Sequence, residues 1–286
     1  MSINDVTSKI NFKRGNSVFL PIYERHLIKK GEASRDNRGY SYFHPSAFGD
    51  CVRKMAIQYY SELEPSFKPE IQIDPKFMRI CDAGHAFHHR MQEDLAVMGV
   101  LRGYWRCRSC DKVFGKENPI GIFLPEKCDC QKEEDKRRGI KLFEYEEIRL
   151  ESEEKYNFKG NTDGVIEIER DVQESRYIID FKSIKDKRFS FLKEPDHKYI
   201  VQVMIYMWLT GVKKAIIYYE DKSEHSIKEF VVNYDEKMVE NIKLTALKLN
   251  KILKLGKIPK RPEGYDYDCF HCKYCDYRSV CYRDKE

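Results

Sequence analysis

The sequence predicts an α/β fold, and three observations carry that reading. Apolar residues recur at three- and four-residue spacing in some stretches and at alternate positions in others. These stretches follow one another as helix, strands, helix, strands, the order of an α/β core rather than of a bundle or a sandwich. The chain has 286 residues, 41% hydrophobic and 35% charged, which suffices for one large or two small packed domains under a well-solvated surface.

The first ~40 residues are polar and basic, with few periodic apolar positions, and are expected to carry little structure. After His44-Pro45, Ser46 reads as the N-cap of a helix through Phe48, Val52, Met55 and Tyr59. A second helix, about Pro75 to Met98, carries Phe77, Cys81, Phe87, Met91, Leu95 and Met98 on one stripe, and Gly99 marks its end. Cys81 therefore reads as a core cysteine. The segment Tyr104 to Arg138 changes character, with Cys-Arg-Ser-Cys, a Gly/Pro stretch, Cys-Asp-Cys and a charge run, and reads as an insertion.

Beyond it the pattern turns to strands: Leu142–Leu150, Asp163–Glu169 and Arg176–Lys182, the last two joined by polar Arg170–Ser175 as in a hairpin. A helix from Asp196 to Thr210 is apolar on almost every side and closes at Gly211, so it is expected to be buried. Lys214–Glu220 and Ile227–Val232 read as two more strands around a polar turn. A long amphipathic helix, Asp235 to Leu255, aligns Met238, Ile242, Leu249 and Leu253, with Gly256 and Pro259 past its end. The domain organisation expected is a polar extension over 1–40, a main domain from 41–103 and 139–286, and an inserted module over 104–138.

Net charge is +5, from 52 Lys+Arg against 47 Asp+Glu, too small to argue for or against a polyanionic partner. Lys243, Lys248, Lys251, Lys254 and Lys257 stud the last long helix and read as a solvated face. No run of about 18 apolar residues is present, which excludes a transmembrane helix. The opening MSINDVTSKINFKRGNS lacks the apolar core of a secretory signal. Ten cysteines without an export signal are expected to be metal ligands in a reducing, cytoplasmic compartment.

The sharpest local feature is Lys159-Gly-Asn-Thr-Asp163-Gly followed by Tyr177-Ile-Ile-Asp180-Phe-Lys182. Alternate strand residues share a face, so Asp180 and Lys182 project together, and Asp163 can converge on them across the hairpin. Two carboxylates and a main-chain carbonyl form an oxygen nest suited to Mg²⁺ or Mn²⁺, which polarises a phosphodiester oxygen and activates water. A neighbouring lysine orients that water or offsets developing charge. Against this stands plain turn chemistry at an Asp next to a glycine.

These residues resemble the PD-(D/E)XK nuclease superfamily in its RecB-like branch. There the first acid stands as in Gly160-Asn-Thr-Asp163-Gly, and the second acid and lysine as in Ile179-Asp180-Phe-Lys182. Gly84-His-Ala-Phe-His88 is similar to the branch's Gly-x-x-x-His, whose last residue is a metal ligand, and this favours His88 over His85 and His89. Gln202-Val-Met-Ile-Tyr206 is similar to its Gln-x-x-x-Tyr; at i and i+4 the two share one helix face, and a glutamine in so apolar a helix needs a polar partner. Where the family often has Glu, this chain has Asp180.

The resemblance implies a restriction-endonuclease-like (RecB-like) core with a mixed central sheet flanked by helices. It implies a Mg²⁺- or Mn²⁺-dependent exonuclease acting on DNA ends, with single-stranded DNA expected. His88, Asp163, Asp180 and the carbonyl of Phe181 would hold metal, Lys182 would orient water, and Gln202 and Tyr206 would position the strand.

The tail reads Cys269-Phe-His-Cys272-Lys-Tyr-Cys275-Asp-Tyr-Arg-Ser-Val-Cys281, and such density indicates metal binding. Spacing alone does not separate zinc from an iron–sulfur cluster. The CRISPR-associated RecB-like exonucleases and AddB-type nucleases close a [4Fe–4S] cluster with one early cysteine and three late ones. That resemblance implies Cys51, Cys272, Cys275 and Cys281 as ligands, while a local set using Cys269 is the alternative. In the insertion, Cys107-x-x-Cys110 and Cys128-x-Cys130 have zinc-ribbon-like spacing, and Zn²⁺ would supply most of the folding energy of so short a segment.

The expected partner is DNA, with a helicase, recombination or DNA-integration protein as a further candidate. The rival reading is a non-catalytic DNA-binding or assembly subunit. A zinc-ribbon regulator would explain Cys107 to Cys130 but not the acids or the tail.

Overall fold

The computed structural model describes residues 19–36, 39–69, 72–132, 137–170 and 173–283. The chain divides into two compact units. The smaller comprises the described part of 1–38 together with 72–82. It contains α1 (Leu20–Asp36) and the first turns of α4 (Pro75–Val97). Lys30 pairs with Asp82, and Gly31 lies so close to Ile73 that an added Cβ would stand 2.7 Å from its Cγ2. Helix α1 corrects the expectation of little structure before residue 40. Its Glu, Arg, Lys and Ala residues favour helix, and Leu20, Tyr23 and Leu27 recur at three- and four-residue spacing, a short stripe in a polar segment. Residues 1–18 lie outside the described residues.

The larger unit, 39–71 and 83–286, is built on a mixed five-stranded sheet. Its strands are β1 (Leu101–Arg102), β7 (Gly164–Arg170), β8 (Gln173–Ile184), β9 (Lys214–Asp221) and β10 (Ile227–Asn233), in that spatial order. β8 and β9 run parallel, and the other pairs are antiparallel. The parallel pair requires a crossover, which α5 (Asp186–Phe191) and α6 (His197–Thr210) provide.

Alternation along the strands separates two apolar layers. Val165, Ile178, Ala215 and Ile217 pack with buried residues of α6 and of α7 (Glu236–Lys254). Ile166, Ile179, Phe181 and Ile216 pack instead with Phe87 of α4 and with Trp105 and Phe143. The α6 stretch Val201–Met207 is buried throughout, as its all-round apolar sequence predicts. Asp235 caps α7 by accepting the Met238 N–H, and Gly211 ends α6 at φ +78°.

Two further sheets flank the central one. β2 (Tyr104–Cys107), β3 (Val113–Phe114) and β4 (Phe143–Glu146) form an antiparallel three-stranded sheet, and β5 (Ile148–Glu151) pairs with β6 (Lys159–Thr162). The single strand expected over 142–150 is therefore two strands in different sheets. The single helix expected from Ser46 is likewise two, α2 (Pro45–Phe48) and α3 (Val52–Leu63), with His44 at the first N-cap. The break falls at Gly49, where a Cβ would stand 2.5 Å from the Lys198 Cα, so the chain turns to let α6 pass. Cys81 is half-buried rather than in the core, and Phe77 and Met98 are exposed. Among the described residues no helix is long and apolar enough to cross a membrane.

Candidate active site

β8 outruns β7. The first residue of β7, Gly164, pairs with Ile179, whereas β9 stays with β8 as far as Ile184. From Asp180 onward the β7-facing edge of β8 thus loses its strand partner. Asp163 fills that position with its side chain, and its Oδ2 accepts the Phe181 N–H at 2.7 Å. Its Oδ1 lies 3.2 Å from His88 Nδ1 on α4.

The Asp163 main chain is fixed as well. Its carbonyl accepts from Gln92 Nε2 at 3.0 Å and from the Tyr145 hydroxyl at 3.0 Å. His88 and Gln92 stand four residues apart and so share one face of α4. Glu147 completes the group: ligand atoms of His88, Glu147 and Asp163 all lie within 4.8 Å of one another.

Asp180 and Lys182 project from the opposite face of β8, toward α6. Lys182 Nζ stands 2.8 Å from Asp180 Oδ2 and 3.5 Å from Gln202 Oε1, and 4.6 Å from the centre of the Tyr199 ring. Gln202 Nε2 in turn donates to the Tyr206 hydroxyl at 2.9 Å. This satisfies the glutamine's need for polar partners inside an apolar helix.

The electrostatics follow from burial and crowding. Asp180 is 1% exposed, and burial pushes its carboxyl up to about 6 despite the opposing Lys182 charge. Burial also raises Glu147, with the Asp163 charge adding to it. Burial pulls His88 and Lys182 down, but Asp163 raises the imidazole and Asp180 the ammonium, so both end above their usual values. Two acids and one imidazole crowded at a sheet edge, with Asp180 near enough to feel the Asp163 charge, suit a hard divalent cation, whose charge would relieve their repulsion.

Of the residues expected from sequence, His88 meets Asp163, while His85 is exposed and His89 faces Glu93 at 3.7 Å. The Phe181 N–H donates to Asp163, which brings the main chain of the expected carbonyl ligand next to the first acid. Sequence reasoning missed Glu147. The signal was a slip in alternation: Phe143 and Tyr145 are apolar at odd positions, Ile148 and Leu150 at even ones, so the register breaks at Glu146-Glu147.

The cysteines form two different arrangements. Cys107 and Cys130 Sγ are 3.5 Å apart, Cys110 and Cys128 Sγ 3.6 Å apart, and all four lie within 4.8 Å of one another. A tetrahedral zinc with Zn–S of about 2.3 Å separates its thiolates by about 3.8 Å, so these four fit one such ion. Burial opposes ionisation of Cys107, but main-chain N–H groups of Ser109 and Cys110 outweigh it, and the thiol falls to about 7.

Cys51, Cys272, Cys275 and Cys281 instead line a cavity of about 280 Å³. Cys51 is the N-cap of α3; Cys272 lies on α8 (Phe270–Lys273) and Cys281 on α9 (Arg278–Cys281). Arg53 donates to Cys281 Sγ at 3.2 Å and to the Pro259 carbonyl at 2.7 Å. Cys269 does not line the cavity; its sulfur caps α8 by accepting the Cys272 N–H at 3.4 Å.

A family model for the PD-(D/E)XK nuclease superfamily matches residues 124–282. No curated protein matches significantly. Among solved structures, that of SSO0001 aligns with 94% of this chain and 98% of its own at 14% identity, with a TM-score of 0.46. An alkaline exonuclease from Laribacter hongkongensis, LHK-Exo, aligns with 38% of this chain and 56% of its own at 16% identity, with a TM-score of 0.32. This chain thus spans little more than half of LHK-Exo.

Proposed function

The chain belongs to the PD-(D/E)XK nuclease superfamily, and from that premise we propose that it hydrolyses phosphodiester bonds in DNA, working at DNA ends as a RecB-like exonuclease. One observation carries the reading: where β8 passes the end of β7, Asp163, His88 and Glu147 converge beside the Asp180–Lys182 pair.

Mg²⁺ or Mn²⁺ is the cation this group would hold, through His88, Asp163, Asp180 and Glu147. Bound there it would polarise the scissile phosphate and lower the pKa of water. Every other role falls to the chain. The Phe181 N–H and the Asp163 carboxylate fix each other, so the acid needs little reorganisation. Lys182 stays cationic through the neutral range and directs its N–H groups at the attacking water. Gln202 and Tyr206, both buried, brace Lys182 and through it the strand.

The tail cysteines are assigned to a [4Fe–4S] cluster. A single ion needs its thiolates in mutual contact, whereas in a cluster each thiolate reaches a different iron and the four stand apart around a volume. The arrangement of Cys51, Cys272, Cys275 and Cys281 around one cavity supports the second case, and Zn²⁺ is assigned to Cys107, Cys110, Cys128 and Cys130.

The test is degradation of end-labelled single- and double-stranded DNA with Mn²⁺ or Mg²⁺. Wild type is compared with Lys182→Gln, which keeps a hydrogen-bonding group beside buried Asp180. Metal-dependent cleavage that falls by about 10²-fold or more in the variant, with DNA binding retained, supports the reading. DNA binding by wild type without any cleavage would overturn it in favour of an assembly subunit.

A further inference from the structure

Beside the carboxylate group lies a groove of about 730 Å³. Gln92 of α4 and Tyr145 and Glu146 of β4 form part of its lining. Tyr104, Arg106 and Lys116 belong to the cysteine-bearing insert; Arg149 belongs to the β5–β6 hairpin, as does Asn161; and Glu147 belongs to the candidate metal group. The insert therefore reaches the site itself.

The charged side chains of the groove are paired only in part. Arg106 is committed to Glu146, which lies across the β2–β4 ladder. Glu151 is committed to Lys159 at 2.7 Å. Glu147 sits with Asp163 and His88. Lys116 and Arg149 remain, both exposed and without a carboxylate partner among the described residues. The charges left over are thus divided in space, two cations, Lys116 and Arg149, on the wall and the Glu147 carboxylate at the candidate metal group, and the wall is continuous with the group at which a phosphodiester would be cut. The half-buried Tyr104 also lines the groove.

We propose that Lys116 and Arg149 bind backbone phosphates of the DNA strand next to the one at the carboxylates, making the cysteine-bearing insert one wall of the substrate track. This assignment rests on the nuclease reading for its placement of the scissile phosphate. It explains why an arginine and a lysine from segments 33 residues apart in sequence line one groove and neither forms an ion pair among the described residues. Phosphate contacts of this kind hold register and carry no base preference.

The experiment measures fluorescence anisotropy of a labelled single-stranded oligonucleotide, and of its duplex, across a salt series without added divalent metal. Each lost contact to a single strand flattens the log K against log salt slope by about 0.7, so Lys116→Ala/Arg149→Ala should flatten it by about 1.4. Affinity at low salt should fall about tenfold, and in the cleavage assay KM should rise while kcat stays within about twofold. The charge-matched Lys248→Ala/Lys251→Ala, on the exposed face of α7 and outside the groove, should leave the slope unchanged. An unchanged slope in the groove variant, or equal flattening in both variants, overturns the proposal even where cleavage is intact. Conversely, a wild type that never cleaves yet shows the groove-dependent slope sinks the nuclease reading and leaves the groove standing.

Discussion

The Tyr145 hydroxyl donates to the Asp163 carbonyl at 3.0 Å, tying the last strand of the cysteine-bearing sheet to the acid at the centre of the site. The contact is possible because residue 103 is glycine: a Cβ there would stand inside the Tyr145 ring, 2.1 Å from Cε2. Trp105, fully buried, packs edge-on against the same ring at 5.2 Å and donates its indole N–H to the Ile122 carbonyl.

Tyr145→Phe should therefore cost about 1 kcal/mol of stability, read as about 2–4 °C in Tm. Metal-dependent cleavage should fall several-fold, with the loss in kcat rather than in KM. A change in KM alone, with Tm unaltered, would place Tyr145 on the substrate instead.

Glu147→Gln should separate metal binding from folding. Burial and the Asp163 charge hold the Glu147 carboxyl above its usual range, so its ionised form is a burden on the metal-free fold. The amide should raise Tm in chelator, abolish most of the Tm increase that Mn²⁺ gives wild type, and lower cleavage by at least about tenfold. Thermal scans with and without Mn²⁺ check all three outcomes.

The acid limb of activity should depend on metal concentration. Folded Asp180 binds a proton up to about pH 6, whereas an unfolded aspartate releases it near its ordinary value of 3.8. The folded state thus holds more protons between those values, and this group makes the metal-free protein less stable as pH rises through that window. A divalent cation needs the ionised form and competes with the proton. Cleavage should fall as pH drops below about 6 and the limb should move to lower pH as Mn²⁺ rises, which pH–rate profiles at three metal concentrations would test.

Removing zinc should be felt beyond the insert. We expect one Zn²⁺ bound by the Cys107, Cys110, Cys128 and Cys130 set, and Cys110→Ser should lose it. Because a closed zinc site supplies folding energy to a segment with little core of its own, limited proteolysis should then cut between residues 108 and 141. DNA affinity should drop with it, since Tyr104, Arg106 and Lys116 line the groove. Elemental analysis together with the proteolysis pattern checks the prediction.

Much of this was legible in the sequence for physical reasons. Strands β7 to β10 and helices α6 and α7 carry strong periodicity, and capping residues such as Asp235 and Gly211 mark their ends. The Asp163, Asp180 and Lys182 pattern survives in sequence because two of the three lie on one strand. Glu147 was not legible by motif, since it reaches the site from a joint between two sheets. Helix α1 escaped because its stripe, Leu20, Tyr23 and Leu27, is short and lies among many charged residues. The bend at Gly49 depends on the passage of Lys198, about 150 residues away, and nothing local records it.

The joints of the insert have a consequence for how such a chain can be rearranged. β1 ends at Arg102 and β2 begins at Tyr104, while β4 ends at Glu146 and β5 begins at Ile148, so single residues connect the insert to its host at each end. Gly103 at the first joint is in contact with Tyr145, two residues before the second, so the doorway out and the doorway back are neighbours. The two ends of the excursion are therefore close, but it is not a detachable cassette, because Trp105 and Phe143 pack into the layer of Ile166, Ile179 and Phe181. What would leave with it is the tyrosine that steadies Asp163. Excision would remove part of the core along with that tyrosine, so the insert carries both packing and chemistry rather than tuning a scaffold that stands without it.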